Sequence, residues 1–228
     1  MPAPRALVVG VDACSAGWVA ATWDGRALAL AVHATFDAVI AAAPRAAVLG
    51  VDMPVGLVAR GPRAADHAVR AFLARRAASL FVIPPRAVLA AIDHADACVR
   101  AQRLMGAKIS RQAFNLFPKI REVDAHVGDA RIVEVHPETS FQVLAGAPLP
   151  FGKKTWAGIA QRRHLLAEAG LTLPDRFDGP ADHVAPDDLL DATIAAWSAA
   201  RVARGTARAF PEVSDDRDAC GRTIQIHA

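Results

Sequence analysis

The sequence predicts an α/β fold on a mixed sheet, with three antiparallel strands followed by parallel ones, flanking helices and a helical insertion. Two segments carry most of that expectation. Ala6–Asp12 (ALVVGVD) and Ala46–Asp52 (AAVLGVD) are short unbroken apolar runs. Continuous rather than alternating hydrophobicity suits strands covered on both faces. Each run closes on the same Gly-Val-Asp. A third observation lies between them: Asp24-Gly25, a strong hairpin signal, separates two further strand-like stretches.

In order, Ala6–Asp12 is the first strand, Gly17–Trp23 the second and Ala27–His33 the third. Thr35 can cap a short helix, Phe36–Ala43, that Pro44 stops, and Ala46–Asp52 follows as a buried strand. Three antiparallel strands, a helix and a fourth buried strand are the opening of a ribonuclease H-like sheet. Residues 60–128 read as helical: Pro62 can start a helix through Ala78, Pro85 another, and Ser110 a third that Pro118 would kink. Arg131–His136 resumes the sheet, and a helix at Thr139–Ala145 follows. Thr155–Ala169 is a helix ended by Gly170, Asp187–Arg204 is the last long helix, and Thr223–His227 is an edge strand. The expectation is one ribonuclease H-like domain over residues 1–228 with a basic helical insertion at about 60–128.

A chain of 228 residues, 53% hydrophobic, buries a core without disulfides or a cofactor to hold it. No apolar run reaches the roughly 18 residues of a membrane span. Arg5 and the apolar run after it imitate a signal peptide, but Asp12 falls inside what would be its hydrophobic region. Cys14, Cys98 and Cys220 are odd in number and far apart, which points to a reducing, cytoplasmic setting. The net charge of +3 hides an asymmetry. Residues 60–121 hold twelve Lys or Arg against three Asp, a balance of +9, and the remainder stands at −6. Such segregation fits a nucleic-acid partner; it equally fits solubilised, Arg-rich helices. Oligomeric state is not legible.

Acids stand at or near the ends of three predicted strands: Asp12, Asp52, and Glu134 followed by Glu138. Ligands of parallel sheets bind beyond the carboxyl ends of the strands, so Asp12 and Asp52 would share one cleft if their strands are neighbours. Two carboxylates there repel unless a cation or a shared proton intervenes, and oxygen donors of this kind suit Mg²⁺ or Mn²⁺. The bland reading of each is a turn-forming Asp. The last helix adds Asp187, Asp188 and Asp191 within an arc of about 100°. Asp187 is explained by the helix N-terminus alone; Asp191 borders the apolar stripe of Leu190, Ile194 and Trp197. Glu138 either enters the cleft or begins the next helix. Lys153 and Lys154 are phosphate contacts or an exposed loop, and Arg70, Arg75 and Arg76 are the insertion's candidate phosphate contacts. Walker A, GxGxxG, GxSxG and HExxH patterns are missing from the sequence.

GVDACSAGW (10–18), VDMPVGL (51–57), FVIPPRAVL (81–89), EVHPETSF (134–141), GKKTWAGIAQRR (152–163) and DDLLDATIAAW (187–197) occur in that order. Together they resemble a bacterial and archaeal domain-of-unknown-function family described as predicted ribonuclease H-like nucleases. In the wider superfamily, which includes Holliday-junction resolvases, the acids come from the first strand, the fourth strand and the last helix. The resemblance therefore implies metal-ligand and catalytic roles for Asp12, Asp52, Asp188 and Asp191, with Glu138 beside them, and a packing role for Cys14. It also implies a metal-dependent nuclease using two divalent ions. Two alternatives share the core: a nucleotide-binding phosphotransferase of the actin or sugar-kinase type, and a non-catalytic binding protein. Against the phosphotransferase, the turn after Asp12 is poor in the glycines that cradle phosphates.

Overall fold

The computed structural model describes residues 6–74 and 80–228. They divide into two compact units. The first comprises residues up to 53, 131–208 and 227–228; the second comprises 54–130 and 209–226.

The first unit is built on the sheet. β1 (Val8–Cys14), β2 (Gly17–Trp23) and β3 (Leu28–His33) form an antiparallel meander. The β2–β3 turn is closed by Asp24, whose carboxylate accepts from the backbone N–H groups of Arg26 and Ala27, both at 2.8 Å. After α1 (Phe36–Ala42), capped by Thr35 as expected, β4 (Val48–Val51) lies parallel beside β1, and β5 (Ile132–Val135) lies parallel beside β4. Across these five strands the order is β3-β2-β1-β4-β5; two two-residue strands, β6 (Ala209–Phe210) and β7 (Ile226–His227), occur near the end of the chain. The expected mixed sheet, antiparallel then parallel, is the fold observed, and the strands closing on the two Gly-Val-Asp tripeptides are parallel neighbours. In β1 to β5 the topology is that of a ribonuclease H-like α/β fold.

Both faces of the sheet are covered. On one, Trp18 of β2 meets Phe36 of α1 with ring centroids 5.1 Å apart. On the other, Val8, Val19, Ala21 and Trp23 share a core with helices α6 (Pro137–Ala145), α7 (Trp156–Glu168) and α8 (Pro186–Ala203). Helix α8 is buried continuously from Leu189 to Ala200 and packs mainly on β1, with β2 and β4 beside it. Gly10 and Gly50 make that close approach possible. A Cβ at Gly10 would lie 2.0 Å from Ala196 N and 2.1 Å from Ala192 O, and one at Gly50 would lie 2.8 Å from Ala195 O. The Gly of each Gly-Val-Asp is thus the place where the backbone of α8 rests on the strand.

The second unit is largely helical among its described residues: α2 (Ala64–Leu73), α3 (His94–Met105), α4 (Arg111–Asn115) and α5 (Phe117–Asp124). Two helix starts differ from expectation. Pro85 opens only a 3-10 turn, Arg86–Ala90; the α-helix begins at Asp93, whose side chain caps it by accepting from Asp96 N. Pro118 does not kink a helix. It sits in the first turn of α5, where its missing N–H is not needed. Helix α2 is described to Leu73; its expected continuation to Ala78, with Arg75 and Arg76, lies outside the described residues. Among the described residues no helix is long and apolar enough to cross a membrane.

Candidate metal centre

The site lies wholly in the first unit. β1 and β4 run in parallel register, with Gly10 beside Gly50 and Val11 beside Val51. The next pair is Asp12 and Asp52, held level by a bond from Asp52 N to Val11 O at 2.9 Å. Strand side chains alternate, so Asp12 faces the same way as Gly10, towards α8. Asp191 stands on that helix one residue before Ala192, whose carbonyl overlies Gly10. The result is a triad: Asp12, Asp52 and Asp191 each offer a carboxylate oxygen, and these oxygens lie within 4.8 Å of one another. Asp12 and Asp191 are buried, at 8% and 2% exposure.

Burial and mutual repulsion act together. Asp12 is raised well above the ordinary carboxylate range by loss of water, then by the charges of Asp52 and Asp191. Asp52 is raised well above that range too, first by loss of water and then by the charge of Asp191, with Lys153 opposing and Glu134 adding to the repulsion. Asp191 is pushed up to about 6, chiefly by burial, although Lys153 pulls it down. Lys153 Nζ lies 2.6 Å from Asp191 Oδ2 and 3.9 Å from Asp187 Oδ2. Burial works against its charge, but Asp191, Asp52 and Asp12 outweigh it and hold the ammonium above its usual range.

The remaining candidates fall around the triad. Asp188, one turn before Asp191, is outside the 4.8 Å cluster, though its charge raises both Asp12 and Asp52. It is itself raised by partial burial and by Asp187. Glu138 lies in the first turn of α6 and raises Asp191, but its Oε1 accepts from Arg162 Nη2 at 2.6 Å. Lys154 is 81% exposed and 3.7 Å from Asp187. In the second unit, Arg70 donates to Leu80 O at 3.3 Å, and Arg75 and Arg76 lie outside the described residues.

Two participants, Arg162 and His136, were not among the sequence candidates for the site, and a third, Glu134, was noted as a strand-end acid but given no role there. Glu134 is 5% exposed on β5, in register with Val51; an acid inside a buried strand was the signal. Arg162 is fully buried on the stripe that Ile159 and Leu166 define by helical spacing, where a charge is out of place. His136 caps α6 by accepting from Thr139 N at 3.3 Å, which leaves its proton on Nε2. Burial, and then Lys153, push it down to about 4, so it is neutral.

Three hard oxygen donors on three different elements, drawn together although each costs free energy to ionise, are a donor set that fits Mg²⁺ or Mn²⁺. The fit rests on that unbalanced charge: two strands and the central helix of the core concentrate negative charge where water is scarce. The comparison with protein families adds no chemistry. Residues 10–216 match the family described as protein of unknown function, DUF429. The chain belongs to that family. No curated protein and no solved structure matches it.

Proposed function

We propose that this DUF429 protein is a metal-dependent phosphodiesterase that hydrolyses nucleic acid. One observation carries the reading: Asp12, Asp52 and Asp191, from β1, β4 and α8, meet within 4.8 Å in a buried place. Asp12, Asp52 and Asp191 would hold the divalent ion, with Asp188 the nearest additional acid. The ion would supply Lewis acidity towards a phosphodiester, which carboxylates alone cannot provide. The acids bind and orient it, burial keeps bulk water out, and Lys153 adds a positive charge at the margin. The β1–β2 turn supports hydrolysis over nucleotide-dependent phosphotransfer. Cys14 pairs directly with Gly17, so only Ser15 and Ala16 form the turn, too short a loop to wrap a phosphate.

Phosphate contacts away from the centre fall to the basic second unit. Several of its cations are already engaged: Arg63 with Asp66, Arg86 with Asp124 and Arg100 with Asp96. Arg60, Arg103, Lys108 and Arg111 are exposed and form no ion pair among the described residues, which makes them the better candidates for nucleic-acid contacts. The test is hydrolysis of labelled single- and double-stranded DNA and RNA with Mg²⁺ or Mn²⁺, comparing wild type with Asp12→Asn. Cleavage that needs the metal and is lost in the variant is expected. Cleavage unaffected by Asp12→Asn, or none on any substrate while the metal binds, overturns the assignment in favour of a binding role. Nucleic-acid affinity should also fall steeply with salt, with a shallower slope once Arg60, Arg103, Lys108 and Arg111 are replaced.

A further inference from the structure

We infer that Lys153 is a resident cation of the acidic centre, standing where a second metal ion would otherwise bind, so that the chain takes up one divalent ion rather than two. The inference rests on the metal-binding reading above and departs from the two-ion arrangement that the superfamily resemblance implies. Its first support is position. Lys153 Nζ is 2.6 Å from Asp191 Oδ2, and Asp191 is one of the three converging carboxylates. A metal ion seated against that same oxygen would have to displace the ammonium or share the oxygen with it at the cost of like-charge repulsion.

The second support is that the lysine is mounted and not merely reaching in from a loose loop. Gly152 O accepts from Thr155 N at 3.0 Å and from Thr155 Oγ1 at 2.8 Å, and Thr155 Oγ1 accepts from Gly158 N at 3.0 Å. Gly158 is required there, because a Cβ would lie 1.9 Å from Gly152 O. One residue before Gly152, Phe151 O accepts from Arg162 Nη1 at 3.3 Å, and Arg162 is held by Glu138. The residues flanking Lys153 are therefore tied to α7, and through Arg162 to α6. That rigidity lowers the entropic cost of holding a long side chain in one place.

Charge balance is the third. When ionised, the triad carries −3; Lys153 reduces this to −2, the charge that one divalent ion neutralises. The ammonium has three N–H donors and spends one on Asp191. The other two are available to a phosphate oxygen, which makes Lys153 a positioning residue for the substrate beside a single ion.

Mn²⁺ titration of the full chain by calorimetry, with electron paramagnetic resonance counting bound ions, tests this in wild type, Lys153→Met and Lys153→Arg. One ion per chain is expected in wild type and in Lys153→Arg. Lys153→Met should bind two, or bind the first at least tenfold more tightly. Gly158→Ala, which forces the Gly152 carbonyl aside without removing the lysine, should move affinity in the same direction by less, and stands in if Lys153→Met does not fold. Two ions in wild type overturn the inference while leaving the metal-binding reading intact, as does a Lys153→Met protein indistinguishable from wild type that binds one. No ion in wild type but one in Lys153→Met overturns the one-ion stoichiometry, leaving the lysine as the centre's only cation, and sinks the metal-dependent reading. No binding by any form sinks both.

Discussion

Each of the two units buries charge, and they do so in opposite ways. In the second unit, Arg63 is 1% exposed at the start of α2, and its guanidinium meets Asp66 twice, at 2.5 Å to Oδ1 and 3.2 Å to Oδ2. It also donates to Gly56 O at 3.3 Å. That pair is balanced and its bonding capacity is largely used. In the first unit, three carboxylates, two of them buried, face one ammonium. The contrast teaches that burial of charge is no sign of function by itself. A closed, paired group is part of the architecture; an excess of one sign, which the fold must work to assemble, marks a place built for something to bind.

The largest expected effect tests the balanced side. Arg63→Ala leaves Asp66 with no guanidinium in a buried place and should cost about 3–5 kcal/mol of stability in urea unfolding, with the Mn²⁺ affinity of the folded protein unchanged. A change in metal affinity would mean that the two regions are not independent. Next, Gly10→Ala presses a methyl group onto the backbone of α8. It should cost at least about 3 kcal/mol, at the top of the usual range for overpacking. It should also weaken Mn²⁺ binding, because α8 carries Asp191.

Asp12→Asn should have the opposite sign. Removing a buried acid from a repelling triad should stabilise the metal-free protein by about 1–2 kcal/mol, seen as a melting temperature a few degrees higher. The gain in melting temperature that Mg²⁺ or Mn²⁺ gives wild type should disappear. Destabilisation of the metal-free variant would mean that Asp12 is a structural acid of the Asp66 kind.

A smaller effect concerns pH. Asp12, Asp52 and Asp191 are raised in the folded state, so it binds more protons than the unfolded chain. Their contribution to stability is complete below about 3.8 and is lost as pH rises, through about 6 for Asp191 and through the raised titrations of Asp12 and Asp52. His136, held near 4, acts in the opposite direction, losing stability as pH falls from 6.5. The comparison is therefore best read as wild type minus Asp12→Asn: in EDTA, that difference should become more unfavourable to wild type between pH 5.5 and 7.5. Saturating Mg²⁺ should abolish the trend. Asp187→Asn, smallest of all, should shift stability by less than about 1 kcal/mol, since exposed Lys154 and the helix terminus account for it.

The amino-acid sequence by itself determined those features that local pattern can carry. Unbroken apolar runs require strands covered on both faces, so β1 and β4 are legible, and their shared Gly-Val-Asp endings single out Asp12 and Asp52. Asp24-Gly25 closes a hairpin because its turn chemistry is local, and Thr35, Ser110 and Thr155 cap helices through bonds three residues long. Tertiary structure decided the rest. Asp188 and Asp191 are both candidates in the sequence, where only the neighbouring apolar stripe favours Asp191; that Asp191 alone joins the triad was decided by the seating of α8 on Gly10 and Gly50, which sets the helix's rotation and height. Lys153 reads as a phosphate contact or an exposed loop residue until packing brings it to an aspartate 38 residues away. Arg162 finds Glu138 across 24 residues in the same manner. Pattern encodes which face of an element is buried, whereas which buried groups meet depends on distances that exist only once the layers have closed.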